Sequence, residues 1–302
     1  MPGKDDPKAG ISIFDKWEQQ TMTNLELHLN FDTLEVYKSK VEFMPATAVQ
    51  NGQPFELEVA VRGRFRRRTC EMPPLKLKFS KKYLRANGFN THNDFKLVTH
   101  CMDGSNGQEA LLREHLAYKL YNVINPRASF RTQLLTITYV NTVDGSTETS
   151  YGILIEDSDE LQERTGLDNC KDCYNAPLAQ YNNAELVTLF HYMIGNGDFK
   201  FSVMHNTKLL RGGDGQLTAV PYDFDFAGIV NADYIEQRPR ELVWHFAETP
   251  ELSAAAEYLI SLEAELFQTI ADFDELDKKG QRQVTNYLQD FFKDVRKMRQ
   301  AR

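Results

Sequence analysis

The segment Ile194-Gly195-Asn196-Gly197-Asp198-Phe199-Lys200-Phe201-Ser202-Val203-Met204-His205-Asn206 sets an aspartate eight residues ahead of an asparagine. Pro221-Tyr222-Asp223-Phe224-Asp225-Phe226 follows a short stretch later. Carboxylates and a carboxamide in this order match the needs of phosphoryl transfer. One carboxylate orients or deprotonates the attacking hydroxyl, while an amide oxygen and a second carboxylate hold a metal ion against the nucleotide phosphates. Magnesium takes hard oxygen ligands and keeps places for water and phosphate. Asp198 suits the first role, and Asn206 and Asp223 the second. Asp225 is a further candidate ligand, because in an extended Asp-Phe-Asp the two carboxylates share a face. Each motif alone is an ordinary turn sequence; it is their order across one predicted hairpin that points to catalysis.

Phosphates also call for cations. Arg62-Gly63-Arg64-Phe65-Arg66-Arg67-Arg68 holds five arginines in seven residues. As a charge run it reads as a solvated loop or a contact to an acidic partner. In a nucleotide site, Gly63 would let the backbone approach and Arg62 would neutralise phosphate. Lys76 and Lys78 project from one face of the predicted strand Leu75–Phe79, opposite Leu75, Leu77 and Phe79. Either suits the α/β-phosphates, and solvent exposure of both is the plain alternative. Glu114 is the first candidate to hold such a lysine and Glu109 the second, against an ordinary surface pair with Arg113. Glu156 ends the run Ile153-Leu154-Ile155, where an adenine would meet backbone; it reads as a ribose contact or a strand-end charge. His205, beside Asn206, either tunes the site or is structural.

The elements that must position these groups follow from periodicity. Residues 1–20 read as a loosely held arm. Residues 24–43 alternate (Leu25, Leu27, Leu29, Phe31, then Val36, Val41, Phe43) and read as strands. Asn51-Gly52 marks a turn into a strand through Phe55, Leu57, Val59 and Val61, which pairs as a hairpin with 75–79. Residues 108–123 carry helical spacing, and 134–140 and 151–155 read as strands around Asp144-Gly145. Beyond that, 184–194 is a predicted helix, 206–211 and 217–222 are short strands, and 252–272 and 280–299 are long amphipathic helices. The expectation is an α+β, two-lobed, protein-kinase-like fold: arm 1–20, β-rich N-lobe 21–157, and helical C-lobe 158–302 carrying the catalytic and metal motifs.

These pieces resemble the spore coat protein H (CotH) kinase family, from about residue 55 to 230. The resemblance rests on Arg62-Gly63, the basic strand Leu75–Phe79, the helix opening Leu112-Arg113-Glu114, and Tyr151-Gly152-Ile153-Leu154-Ile155-Glu156. It is most specific in Asn196-Gly197-Asp198 with Asn206 and in Pro221-Tyr222-Asp223-Phe224-Asp225. It implies a kinase-like fold and phosphorylation of a protein acceptor with ATP and magnesium (or manganese). By the same resemblance Asp198 is the catalytic aspartate, and Asn206 and Asp223 are metal ligands. Phe199 stands where the family often has tryptophan.

Bulk properties set limits. With 302 residues, 41% hydrophobic and 26% charged, the chain can build an ordinary folded core. A formal net charge of −8 argues against a nucleic-acid partner. No apolar run reaches a membrane-spanning length. The first residues lack the apolar core of a signal peptide, so the chain as given reads as cytoplasmic, or exported if its start has been trimmed. Cys170-x-x-Cys173 has the spacing of half a zinc site, without a second knuckle. Cys70 and Cys101 read as a disulfide in an oxidising compartment or as buried thiols. The expected function is ATP- and magnesium-dependent phosphoryl transfer to protein. Its rivals are AMP transfer with the same site, a nucleotide-binding pseudokinase scaffold, and a structural coat or surface protein.

Overall fold

The computed structural model describes residues 10–18, 22–40 and 42–300, with side chains to residue 298. It divides into two compact units: residues 1–111 with 132–160, and 112–131 with 161–302. The expected residue Val41 and parts of the expected arm (1–9, 19 and 20) lie outside the described residues.

The first unit is built on seven strands. In chain order its elements are α1 (Ile13–Glu18), β1 (Thr23–Leu29), α2 (Phe31–Tyr37), β2 (Phe43–Gln50), β3 (Gln53–Val61), α3 (Arg66–Thr69), β4 (Leu75–Phe79), α4 (Lys81–Ala86) and β5 (Asp94–Thr99). The start of α5 (Ser105–Ile124), β6 (Thr132–Asn141) and β7 (Thr147–Ile155) complete it. The strands close into a barrel in the order β1-β2-β3-β4-β5-β7-β6. Neighbours pair antiparallel except at the seam, where β1 runs parallel to β6 from Thr23↔Leu135 to Leu29↔Asn141.

This corrects the expected two-lobed kinase-like fold, whose N-lobe is an open β-sheet. The physical reason lies in β1. Its Leu25, Leu27 and Leu29 are buried on one face, and its second edge is taken up by β6, so the sheet keeps no edge. Alternate residues fill the interior: Leu25 and Leu27 of β1, Phe55, Leu57 and Val59 of β3, Leu75, Leu77 and Phe79 of β4, Leu135 and Ile137 of β6. Within the stretch expected as an arm, α1 adds Ile13, Phe14 and Trp17 to this core, all fully buried. Trp17 meets Phe55 and Phe79 edge-on, at 5.9 and 6.1 Å between centroids. Its carbonyl accepts from Thr23 Oγ1 and Gln133 Nε2, which ties the helix to β1 and β6.

Local chemistry explains the other departures. Residues 31–37 are helix α2 rather than strand, because the Asn30 side chain caps the Thr33 amide at 2.8 Å. Asn51 and Gly52 take left-handed φ of 52° and 74°, as a tight two-residue hairpin turn requires. The arginine run is in part the short helix α3, with Arg66 buried at 6% exposure. Cys70 and Cys101 form a disulfide, Cα atoms 4.4 Å apart.

The second unit contains residues 112–124 of α5, most of α6 (Ser158–Thr165), β8 (Asp168–Asn169), α7 (Ala184–Ile194), β9 (Thr207–Arg211) and β10 (Leu217–Pro221). α8 (Ser253–Ser261), α9 (Glu263–Ala271) and α10 (Lys278–Gln300) follow, so the long helix expected at 252–272 is two helices meeting at Leu262. The strands form a sheet in the order β10-β9-β8. α7 sends Leu189, Phe190, Met193 and Ile194 into a core shared with α10 residues such as Leu288 and Phe291. Cys170 and Cys173 are bonded to each other, which removes the half zinc site as a reading.

Candidate functional site

In the second unit, the chain between α7 and β9 gathers the predicted catalytic residues. α7 ends on Gly195, which takes φ +69° and donates its amide back to the helix. That left-handed cap is what glycine tolerates best, and it turns the chain into Asn196-Gly197-Asp198. Asn196 Oδ1 accepts from the Asp198 amide at 2.9 Å, fixing the turn. Lys200 and His205 exchange both backbone hydrogen bonds, at 3.1 and 2.9 Å, so residues 200–205 fold back on themselves. The fold-back brings Asn206 to Asp198.

The contact is a clamp. Asn206 Nδ2 donates to the Asp198 carbonyl at 2.8 Å and to its Oδ2 at 2.9 Å. His205 Nε2 lies 3.0 Å from the other oxygen, Oδ1. With its NH₂ group committed, the Asn206 carboxamide presents Oδ1 as its remaining polar atom. Asn206 itself is 8% exposed and sits at φ +49°. The Asn206 carbonyl accepts from the Tyr222 amide at 3.0 Å, and Thr207 pairs with Pro221, so Asp223 emerges beside it at the end of β10.

Asp223 has φ +65°, and its amide donates to the Tyr118 hydroxyl at 2.9 Å. The chain is therefore not extended through Asp-Phe-Asp, and alternation does not put Asp223 and Asp225 on one face. Asp223 is partly exposed, whereas Asp225 is 3% exposed and accepts from Tyr234 Oη at 3.2 Å. Between them Phe224 is fully buried against Tyr118 and Phe190 and anchors the turn.

Two histidines behind this loop escaped the sequence reading. His191 stacks on Phe199 with 3.8 Å between centroids, and His245 meets Phe199 edge-on at 4.8 Å. Burial pushes His191 down to about 3, with the nearby His245 adding to the shift. Burial also lowers His245. His191 is buried on a helix and His245 half-buried on a loop, and neither place carried a motif; the only signal was His191 falling on the apolar face of α7.

The cation candidates lie in the first unit. Arg62, Gly63 and Lys76 line one cavity of about 230 Å³, together with Arg67, Phe43 and Val61. Lys76 Nζ is 2.6 Å from Asp94 Oδ2, a partner the sequence did not suggest. Lys78 belongs to a different cavity, with Glu56 and Glu58, and its Nζ lies 5.0 Å above the Phe43 ring. Glu156 is 2% exposed at the end of β7. Ile153–Ile155 pair with β5 on one side and β6 on the other, so their backbone is taken up in the ladder rather than offered to an adenine. Asp157, unremarked in the sequence, accepts from the amides of Asn93, Asp94 and Asp159 at 2.9, 2.9 and 2.8 Å. Its pKa is nonetheless raised, because burial outweighs those bonds. Glu114 is 2% exposed within the second unit.

Among the described residues, no helix is long and apolar enough to cross a membrane. No family model matches the chain, and no curated protein matches it either.

Proposed function

We propose that the chain binds ATP with magnesium or manganese and transfers a phosphoryl group to a protein acceptor. The observation that carries this reading is the clamp of Asn206 on Asp198, made next to the strand end that presents Asp223. The donor set suits a hard cation: a carboxamide oxygen left over when its own NH₂ group is bonded, and a partly exposed carboxylate. Asn206 and Asp223 would hold the metal, with the buried Asp225 a further candidate. The metal would neutralise charge on the transferring phosphate. Asp198, held at both carboxylate oxygens and 38% exposed, orients an acceptor hydroxyl and takes its proton. The resemblance of these segments to the CotH kinases supports the same reaction.

The cation-lined cavity of Arg62, Gly63, Arg67 and Lys76 is the candidate surface for phosphate in the first unit. Two disulfides favour an oxidising compartment over the cytoplasm as the place of work.

Calorimetry with ATP, with and without manganese, tests the binding, and mass analysis of acceptors tests the reaction. Asp198→Ala should bind nucleotide and metal normally and transfer about 10²- to 10⁴-fold more slowly. Asp223→Ala should lose both. Equal ATP affinity in excess chelator overturns the metal assignment. An acceptor gaining AMP rather than phosphate redirects the reaction, and binding without any transfer leaves a pseudokinase.

A further inference from the structure

His100, at the end of β5, is almost fully buried, its side chain 1% exposed. Its Nε2 lies 3.3 Å from Asp103 Oδ1 and 3.1 Å from Glu148 Oε1. All three residues belong to the first unit, whereas Asp198, Asn206 and Asp223 belong to the second. The three donor atoms lie within 4.8 Å of one another. Neighbouring ligand atoms around a divalent metal stand about 3.0 Å apart in an octahedron and about 3.4 Å apart in a tetrahedron, given bonds of about 2.1 Å. The nitrogen–oxygen spacings already fall at these values.

The surroundings also point to a ligand. His100 Nδ1 and Tyr139 Oη are both buried without a hydrogen-bond partner among the described residues. Tyr139 is fully buried and is the register partner of Glu148, so the two side chains leave the sheet on the same face. Its ring lies 6.3 Å from that of His100. The carboxylates of Asp103 and Glu148 both face Nε2 and bring two negative charges to it. A dication held between them balances that charge. With a metal on Nε2 the ring carries its proton on Nδ1, the nitrogen left without a partner among the described residues.

We infer that His100, Asp103 and Glu148 form a binding site for a divalent transition metal, zinc first among them. One imidazole and two carboxylates suit zinc better than calcium or magnesium, which take oxygen alone. Asp103 and Glu148 are 63% and 43% exposed, so water fills the remaining position and the ion enters from solvent. The disulfide at Cys101 fixes the residue next to His100 and keeps that sulfur out of the ligand set.

The test is zinc titration of the chelator-stripped full chain by calorimetry, without reductant and with excess magnesium to occupy hard-oxygen sites. Cobalt binding, read by visible absorption, is a second readout. The expected result is one zinc equivalent in the wild type and in Asp223→Asn. Asp103→Asn and Glu148→Gln, both at exposed positions, should each lose at least about tenfold in zinc affinity. The double variant should bind none. No zinc uptake by the wild type, or undiminished uptake by the double variant, overturns the site. So does loss of zinc in Asp223→Asn with retention in the double variant.

Discussion

Replacing Asn206 removes the clamp on Asp198, and the loss can be apportioned. The bond to the Asp198 carbonyl, 2.8 Å and neutral, is worth about 1 kcal/mol. The bond to its carboxylate, at 2.9 Å, would be worth about 2 kcal/mol if buried. The Asp198 side chain is 38% exposed, so water takes over part of that bond and about 1 kcal/mol remains. Asn206 also sits at φ +49°, which asparagine tolerates and alanine resists by about another 1 kcal/mol. Asn206→Ala should therefore destabilise the second unit by about 3 kcal/mol, and Asn206→Gly, freed of the backbone strain, by about 2 kcal/mol. Urea unfolding followed by near-UV circular dichroism measures both, and hydrogen exchange of the 198–206 amides localises the effect. Both variants should also lose manganese affinity. An Asn206→Ala protein within about 0.5 kcal/mol of wild type would refute the clamp, because surface substitutions fall in that range. Alanine and glycine variants of equal stability would refute the strain argument alone.

Other perturbations probe the same unit and the staples. A Cβ on Gly195 would lie 1.9 Å from Tyr287 Oη at φ +69°, so Gly195→Ala should lower the thermal midpoint and slow any transfer. Trimming the ring in Gly195→Ala/Tyr287→Leu should recover only the steric part; full recovery would show that the left-handed cap is dispensable. His191 is held near 3 in the folded state, below the ordinary value of 6.5, so the unfolded chain binds the extra proton between those values. Stability present above pH 6.5 should fall on acidification by about 1.4 kcal/mol per unit from this group. His191→Phe should make the acid limb of a stability–pH curve shallower by one proton, and an unchanged limb would contradict the burial. Removing the Cys70–Cys101 bond, which spans 31 residues, should cost about 3–4 kcal/mol, against about 2 kcal/mol for Cys170–Cys173, which spans 3. Paired Cys→Ser variants compared by chemical denaturation check the order, and the reverse order would overturn it.

What could be read from the sequence was local. The alternation of Leu75–Phe79 gave a strand with both lysines on its outer face, and the apolar spacing of 184–194 gave α7 to the residue. Asp198, Asn206 and the Asp223 strand end come together because a fold-back and a two-stranded hairpin join them, and both are short-range features. Barrel closure was not legible. β1 and β6 are separated by a hundred residues, and nothing in Thr23–Leu29 names Leu135 as the partner of Thr23. The Asp94 partner of Lys76 was hidden for a related reason, since it depends on β4–β5 pairing. The alternating Val36 misled because an asparagine cap outweighed a few alternating apolar residues. The expected common face of Asp223 and Asp225 failed on one backbone angle, which side-chain periodicity does not report.

The parallel seam of the barrel has a consequence during synthesis. β1 can pair with β2 as soon as the β2–β3 hairpin forms, but its other edge stays open until β6 has been made. Leu29 and Asn141 end the two strands, so about 110 residues must follow β1 out of the ribosome before the seam can close. At about 5–20 residues per second that is a delay of roughly 6–20 s. For that time the nascent chain carries an unpaired strand edge with Leu25, Leu27 and Leu29 beside it, a template for pairing with a neighbouring chain. A fragment ending before Thr132 should therefore aggregate, and a holding chaperone should associate with the chain until β6 emerges and be released once the barrel closes.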